Sequence, residues 1–406
     1  MKLFCLYTES YTIYFYKKDM VLLYNCLDKQ STIIKIEKEL EYIAKRLETD
    51  KCIILTEEDI QRKSVNGFIQ LLKNSFNGDI LPADGKQILP ALFNPIINNQ
   101  REFNRLLDVD KINIDNQVMN YLEEIYIYLN GIDERSEYPT FLQTPSYMNQ
   151  EGDIDVNTLI KWLGSICDKQ INQLNLLGGN VLQHPQFRQI LDTAKLKAHE
   201  IRLYYRYNLL KKHDLQLIQN EEINELFLIV PMQILEKTIL KQTIEDLKDF
   251  SKKRWVFLVS SEQEYIQAEQ LINEYNITEY QLKPLFIGSN LSFFQNEVFL
   301  NEEDILSLIP EKREIYANQK INRNEFGRLT ILPNGNIYAN PNKPLIGKIA
   351  EDRIHDIIYY EMSEGSSWLN IRDQKPCSDC IFQWICPSPS NYELVIGKPN
   401  LCHVKP

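Results

Sequence analysis

The chain lacks the features that would tie it to a membrane or a nucleic acid. No run of eighteen apolar residues occurs in its 406 positions, and Met1 to Ser10 is interrupted by polar groups before a signal-peptide core forms. Positive charge is in deficit: 45 Lys and Arg face 56 Asp and Glu, a net charge of -11, which argues against a phosphate backbone or an anionic membrane as the main partner. There is no Gly-rich phosphate loop and no pairing of a nucleophile with a base. What remains is ordinary globular composition, 44% hydrophobic and 25% charged, long enough for two or three domains. The expected compartment is the cytoplasm, where cysteines stay reduced.

Cysteines are few but unevenly placed. Of eight, four lie at Cys377, Cys380, Cys386 and Cys402. The pair Cys377 and Cys380 makes a tight knuckle offering two thiolates to one metal, and Cys386 and Cys402 can close a four-sulfur cage. Buried thiols or two disulfides are the plain alternative. Zinc ribbons usually bring a second close pair, whereas here the second pair is opened to Cys386 and Cys402, so a [4Fe-4S] cluster and zinc both remain open. Phe382, Trp384 and Ile385 between the ligands can keep water from the sulfurs.

In the N-terminal ninety residues, Leu3 to Tyr7, Thr12 to Tyr16 and Met20 to Tyr24 read as a small meander. Ser31 and Thr32 then cap a helix with Ile36, Leu40, Ile43 and Leu47 on one stripe. A second helix carries Val65, Phe68, Leu71, Leu72 and Phe76 and ends at Asn77-Gly78. This is a winged-helix-like order, but acidic and basic side chains are equally numerous there, so no DNA-binding stripe emerges. From residue 120 the pattern alternates strand and helix. Strands are expected at Glu124 to Leu129, Leu174 to Leu177, Glu200 to Tyr205, Glu225 to Val230, Trp255 to Ser260 and Tyr280 to Ile287. Helices fall between them, among them Val156 to Asp168, Pro185 to Leu196, Ile234 to Phe250 and Glu262 to Tyr275. The spacing predicts a parallel sheet built as a partial, open (β/α)6 barrel with ligands at the C-terminal strand ends. One strand-to-helix loop of note is Gly178-Gly179-Asn180 after the strand ending at Leu177; paired glycines permit a sharp turn, or a close approach to a ligand.

The segment Gly178-Gly-Asn-Val-Leu-Gln-His-Pro-Gln-Phe187 resembles the Gly-Gly-Glu-Pro-Leu-x-His-Pro-x-Phe stretch of radical-SAM enzymes, which helps to hold S-adenosylmethionine. Asn180 and Val181 stand at the Glu and Pro positions. Those enzymes also carry C-x-x-x-C-x-x-C after the first barrel strand, and this chain has no cysteine from Asn130 to Tyr147; Cys167 stands alone. Phe326 to Asn340, a hairpin around Asn334-Gly335, followed by a helix with Ile354, Ile357, Ile358 and Met362 and by the cysteine run, is similar to the SPASM extension of radical-SAM peptide maturases. By that resemblance Cys377, Cys380, Cys386 and Cys402 match the second auxiliary cluster. The first loses its ligands, with Asn340 and Ser390 at cysteine positions. His403 follows the last ligand as a surface residue, and His184, His199, His213 and His355 have no partner in the sequence.

The whole order resembles the pseudo-radical-SAM proteins of GG-type peptide natural-product systems; in size and order of elements the N-terminal module is similar to the peptide-recognition domain of ribosomal peptide-modifying systems, with a plain packing domain that supports the next one as the alternative. The resemblance implies residues 1–95 as a winged-helix-like recognition domain, 96–119 as a linker, 120–315 as a degenerate barrel and 316–406 as a SPASM-like domain. It implies a non-catalytic accessory protein for maturing a ribosomally made peptide, with a precursor peptide and a radical-SAM maturase as partners. One [4Fe-4S] cluster or zinc is expected, without S-adenosylmethionine at the degenerate Gly178, Gly179 and Asn180 positions. An enzyme with repurposed chemistry and a zinc-stabilised structural protein are the alternatives.

Overall fold

The computed structural model describes residues 2–83, 117–131, 143, 145, 152–166, 170–220 and 223–405. The linker expected over 96–119 and the loop running from Asn130 to Tyr147 fall largely outside them, as does Cys167.

Two antiparallel sheets form the N-terminal part. In the first, β1 (Leu3–Thr8) lies between β5 (Cys52–Thr56) and β6 (Gly78–Pro82). In the second, β2 (Thr12–Lys17), β3 (Met20–Asn25) and β4 (Ser31–Lys35) form a meander with Leu22 opposite both Phe15 and Ile33. The expected meander is thus shifted by one strand: its first member pairs elsewhere. Ser31 and Thr32 start a strand rather than cap a helix, because β-branched Thr32, Ile33 and Ile34 suit a pleated surface better than a first helical turn. The helix begins later, at Glu41, and runs to Asp50. Ile36, Leu40, Ile43 and Leu47 are buried all the same, packed with the helix Lys63–Asn74 through Val65, Phe68 and Leu72. Phe76 lies beyond that helix, at positive φ and exposed, not on its apolar stripe.

The central element is a nine-stranded sheet. Strands β7 (Glu124–Tyr128), β8 (Ile171–Leu177), β9 (Ala198–Arg206), β10 (Glu225–Pro231), β11 (Lys253–Val259) and β12 (Tyr280–Pro284) pair in parallel with their sequence neighbours. Parallel pairing requires crossovers, and helices Val156–Gly164, Phe187–Lys197, Lys212–Asn220, Lys237–Asp246 and Glu262–Glu274 supply them. Asp155 and Ser261 cap two of these by accepting backbone N–H groups. The last strand ends at Pro284, three residues before the expected Ile287, since proline cannot donate to a ladder.

Beyond β7 the sheet continues with β13 (Arg328–Ile331), parallel to it, and then antiparallel β14 (Asn336–Tyr338) and β15 (Gly347–Lys348). The β13–β14 turn is Asn334-Gly335, where Gly335 takes φ 80°. Alternation along the strands separates two faces. Ile125, Ile127, Leu174, Leu176, Leu203, Leu226, Leu228 and Phe257 join the helices in the main core; Tyr126, Tyr128, Leu177, Tyr204, Phe227, Ile229 and Leu258 form a smaller cluster on the other face. Trp368, fully buried, donates from Nε1 to the Arg328 carbonyl at 2.9 Å and so ties the C-terminal segment to β13.

Candidate functional site: a four-thiol pocket

The tail has little regular structure, and short turns position its cysteines. Cys377 opens a one-turn 3-10 segment, and Cys380 N–H donates to the Cys377 carbonyl at 3.0 Å, which forms the knuckle. Phe382 turns the chain back, its carbonyl accepting from Cys386 N–H at 3.0 Å. Cys402 arrives by a different route: a single β-bridge to Leu300, with Leu300 N–H donating to Leu401 and His403 N–H donating to Leu300.

All four thiols line one cavity of about 30 Å³, with Arg372, Gln383 and Asn400 in its wall. Asn400 Nδ2 lies 3.1 Å from Cys402 Sγ, and Arg372 Nη1 lies 3.8 Å from Cys377 Sγ. Arg372 is itself fixed, donating from Nη2 to Glu393 Oε1 at 2.8 Å and from Nε to the Pro387 carbonyl at 2.5 Å. Phe382, Ile385 and Leu401 are buried around the site. Burial pushes the Cys377 and Cys380 thiols up and Cys386 up to about 12; mutual repulsion among the sulfurs adds to this, and the Arg372 cation opposes it. A bound cation would reverse that balance, because a coordinated thiol loses its proton.

Among the described residues no group of three or more His, Cys, Asp or Glu is already gathered as a metal-binding set. The thiols share a cavity without forming a closed coordination sphere. Their chemistry nevertheless fits a soft metal: four sulfurs, N–H donors aimed at two of them and an apolar surround. Cys377, Cys380, Cys386 and Cys402 would hold the ion or cluster. The nearby Cys26 packs in the adjoining apolar cluster, and Cys5 and Cys52 lie in the β1–β5 sheet.

The two substituted positions are each held by hydrogen bonds to other residues. Asn340 is buried, and its Nδ2 donates at 2.6 Å to Oδ1 of Asn391, the residue after Ser390. Ser390 caps the helix Asn391–Ile396 in a reciprocal box with Glu393.

The glycine loop is engaged by the protein itself. Gly178 sits at φ 143°, and a Cβ there would come 2.5 Å from the Asn130 carbonyl. Gly179 N–H donates to Asn130 O at 3.1 Å and Oδ1 at 3.0 Å, while Asn130 Nδ2 donates to the Asn180 carbonyl at 2.9 Å. Tyr205 OH donates to Asn180 Oδ1. The glycines therefore serve the contact between the ends of β7 and β8. Of the histidines, His184 is buried and accepts from Gln186 N–H through Nδ1; His199 and His213 are exposed, and His403 contacts the Gln295 carbonyl.

One feature had no marker in the sequence. Glu124, Glu325 and Arg328 meet at the β7–β13 junction, where Arg328 donates to Glu124 Oε1 from Nε at 2.8 Å and Nη2 at 2.6 Å.

No family model matches the chain, and no curated protein does. Among solved structures the chain is similar to Streptococcus suis SuiB, at 12% identity and TM-score 0.47 over 98% of this chain and 100% of that one. The same protein bound to its precursor peptide SuiA gives 12% and 0.47 over 100% and 99%. Native anSMEcpe with bound AdoMet gives 11% and 0.46 over 65% of this chain and 88% of that one.

Proposed function

We propose that the protein is a non-catalytic accessory factor in the maturation of a ribosomally synthesised peptide, carrying one metal centre on Cys377, Cys380, Cys386 and Cys402. The observation that carries this reading is the convergence of those four thiols on one cavity, in a chain with no cysteine between Asn130 and Tyr147. A radical-SAM cluster needs three thiolates with one iron left open, and that stretch offers none. The N-terminal module and the C-terminal strand ends of the parallel sheet would bind the precursor peptide or its maturase, by addition of an extended peptide to a sheet edge. The metal would supply structure, tying down a tail held otherwise by turns.

Protein purified without oxygen should contain about four iron and four sulfide per chain if the centre is [4Fe-4S], or one zinc if it is a single ion. It should retain the precursor peptide or the maturase in a pull-down and fail to cleave S-adenosylmethionine. Cleavage by the purified chain, or loss of both partners, overturns the reading.

A further inference from the structure

The loop that carries three of the four thiols is also a surface on which the N-terminal meander rests. Strands β2 and β3 are covered on both faces. Tyr14, Val21 and Leu23 join the core shared with the N-terminal helices, while Ile13, Leu22 and Tyr24 pack the other way, with Phe382 and Ile385 of the tail and with Ile305 and Ile315. Phe382 and Ile385 lie between Cys380 and Cys386 and are 2% and 3% exposed. Polar ties fall in the same loop. Lys17 Nζ donates at 3.0 Å to the carbonyl of Ser378, which lies between Cys377 and Cys380. Asn318 Nδ2, on the helix Lys312–Asn318 that also carries Ile315, donates to the Trp384 and Cys386 carbonyls at 3.1 and 3.2 Å.

Given the metal centre proposed above, we propose that loading of Cys377, Cys380, Cys386 and Cys402 fixes β2 and β3 in place, so that occupancy of the centre sets how firmly the N-terminal module is held. The thiol loop is shaped by a one-turn segment at Cys377 and by turns closed through the N–H groups of Cys380, Ile385 and Cys386. Cys402 comes from a separate segment, through its bridge to Leu300. An ion shared by all four sulfurs joins that segment to the loop and holds Phe382 and Ile385 in one position against Ile13, Leu22 and Tyr24.

Two further ties lie outside the thiol loop: Tyr24 OH donates to the Pro310 carbonyl at 2.7 Å, and Lys29 pairs with Glu311 at 2.7 Å. They keep the module attached when the ion is gone, so the change on metal loss is local opening of the meander, not unfolding of the chain. The module is the one assigned above to peptide or maturase binding, and the centre thereby regulates recognition. The coupling is reciprocal. If the ion firms the meander, the meander must tighten the ion by the same factor.

The test is hydrogen exchange of the full chain under native conditions, as purified without oxygen and after chelation, with iron and zinc counted in both samples. Chelation should speed exchange over 12–25 by about tenfold or more, within the range of such couplings, and leave 171–206 unchanged. Restoring zinc, or iron with sulfide, should reverse it. Cys402→Ser, which removes a ligand from outside the loop, should reproduce the pattern seen on chelation. Ile13→Ala, in the meander, should release the metal at a several-fold lower chelator concentration; Ile13→Val should shift it less in the same direction and decides the matter if the first variant does not fold. Equal exchange over 12–25 with and without metal, or unchanged metal retention in the Ile13 variants, overturns the proposal and leaves the centre standing. A chain that holds no metal overturns both.

Discussion

Two loops that each offer a ligand contact in the sequence differ in what their polar groups meet. At the end of β8, Gly178 and Gly179 fold onto Asn130, and the Asn180 backbone carbonyl and Oδ1 accept from Asn130 and Tyr205, so these groups are met within the protein. In the tail, Cys377, Cys380, Cys386 and Cys402 turn toward a common cavity, and the nearest polar groups, Arg372 and Asn400, are donors that suit negatively charged sulfur. A glycine pair states only that backbone must come close to something. Thiols at these intervals suggest a kind of partner as well, and a metal is the one proposed here.

The largest expected effect sharpens this contrast. Thiolate sites contribute on the order of 10 kcal/mol to small domains, so chelation under denaturant should raise hydrogen exchange over 377–402 by orders of magnitude and leave 171–206 unchanged. Equal change in both regions would erase the distinction. A smaller effect should follow from Phe382→Ala. Phe382 is buried between the tail, Leu22 and Tyr24 of the N-terminal meander, and Ile305 and Ile315. Removing such a ring costs about 3–5 kcal/mol. Lys17 Nζ also donates to the Ser378 carbonyl at 3.0 Å, so the variant should loosen exchange in residues 12–35 as well as in the tail.

The parallel strands were legible because each is a short apolar run at βαβ spacing, and buried strands need little else. The strand Ser31–Lys35 was not, since Ser-Thr before an apolar stripe reads equally as a helix cap and only pairing to β3 decides it. Cysteine spacing announced the thiol set, but the element delivering Cys402, its bridge to Leu300, is a contact between distant segments that no local pattern encodes. The same holds for Gly178, whose constraint is Asn130, and for Glu325, whose burial depends on β13 docking beside β7.

Glu325→Gln separates the two loops from the charged junction. The folded value, pushed up to about 7 from 4.5, lies above the unfolded one. Its contribution is therefore complete below pH 4.5 and is lost as pH rises through about 7. The shift corresponds to about 3 kcal/mol at most, so the variant should be more stable than the parent at pH 8 and close to it at pH 4.5, by urea titration at both pH values. An unchanged pH slope would remove the buried carboxyl from this account.

The smallest effect tests whether the glycine loop is held by the protein alone. Tyr205 is buried, and its hydroxyl donates to Asn180 Oδ1; Tyr205→Phe keeps the ring and deletes that donor. A neutral hydrogen bond contributes about 1 kcal/mol net, and leaving the acceptor buried adds about as much again. A loss of about 1–2 kcal/mol, with exchange raised at 178–184 and no change in metal content, is the outcome expected of a loop closed on itself. If instead the variant kept its stability but lost affinity for S-adenosylmethionine, Asn180 would be a ligand-facing group, and the contrast between the loops would fail.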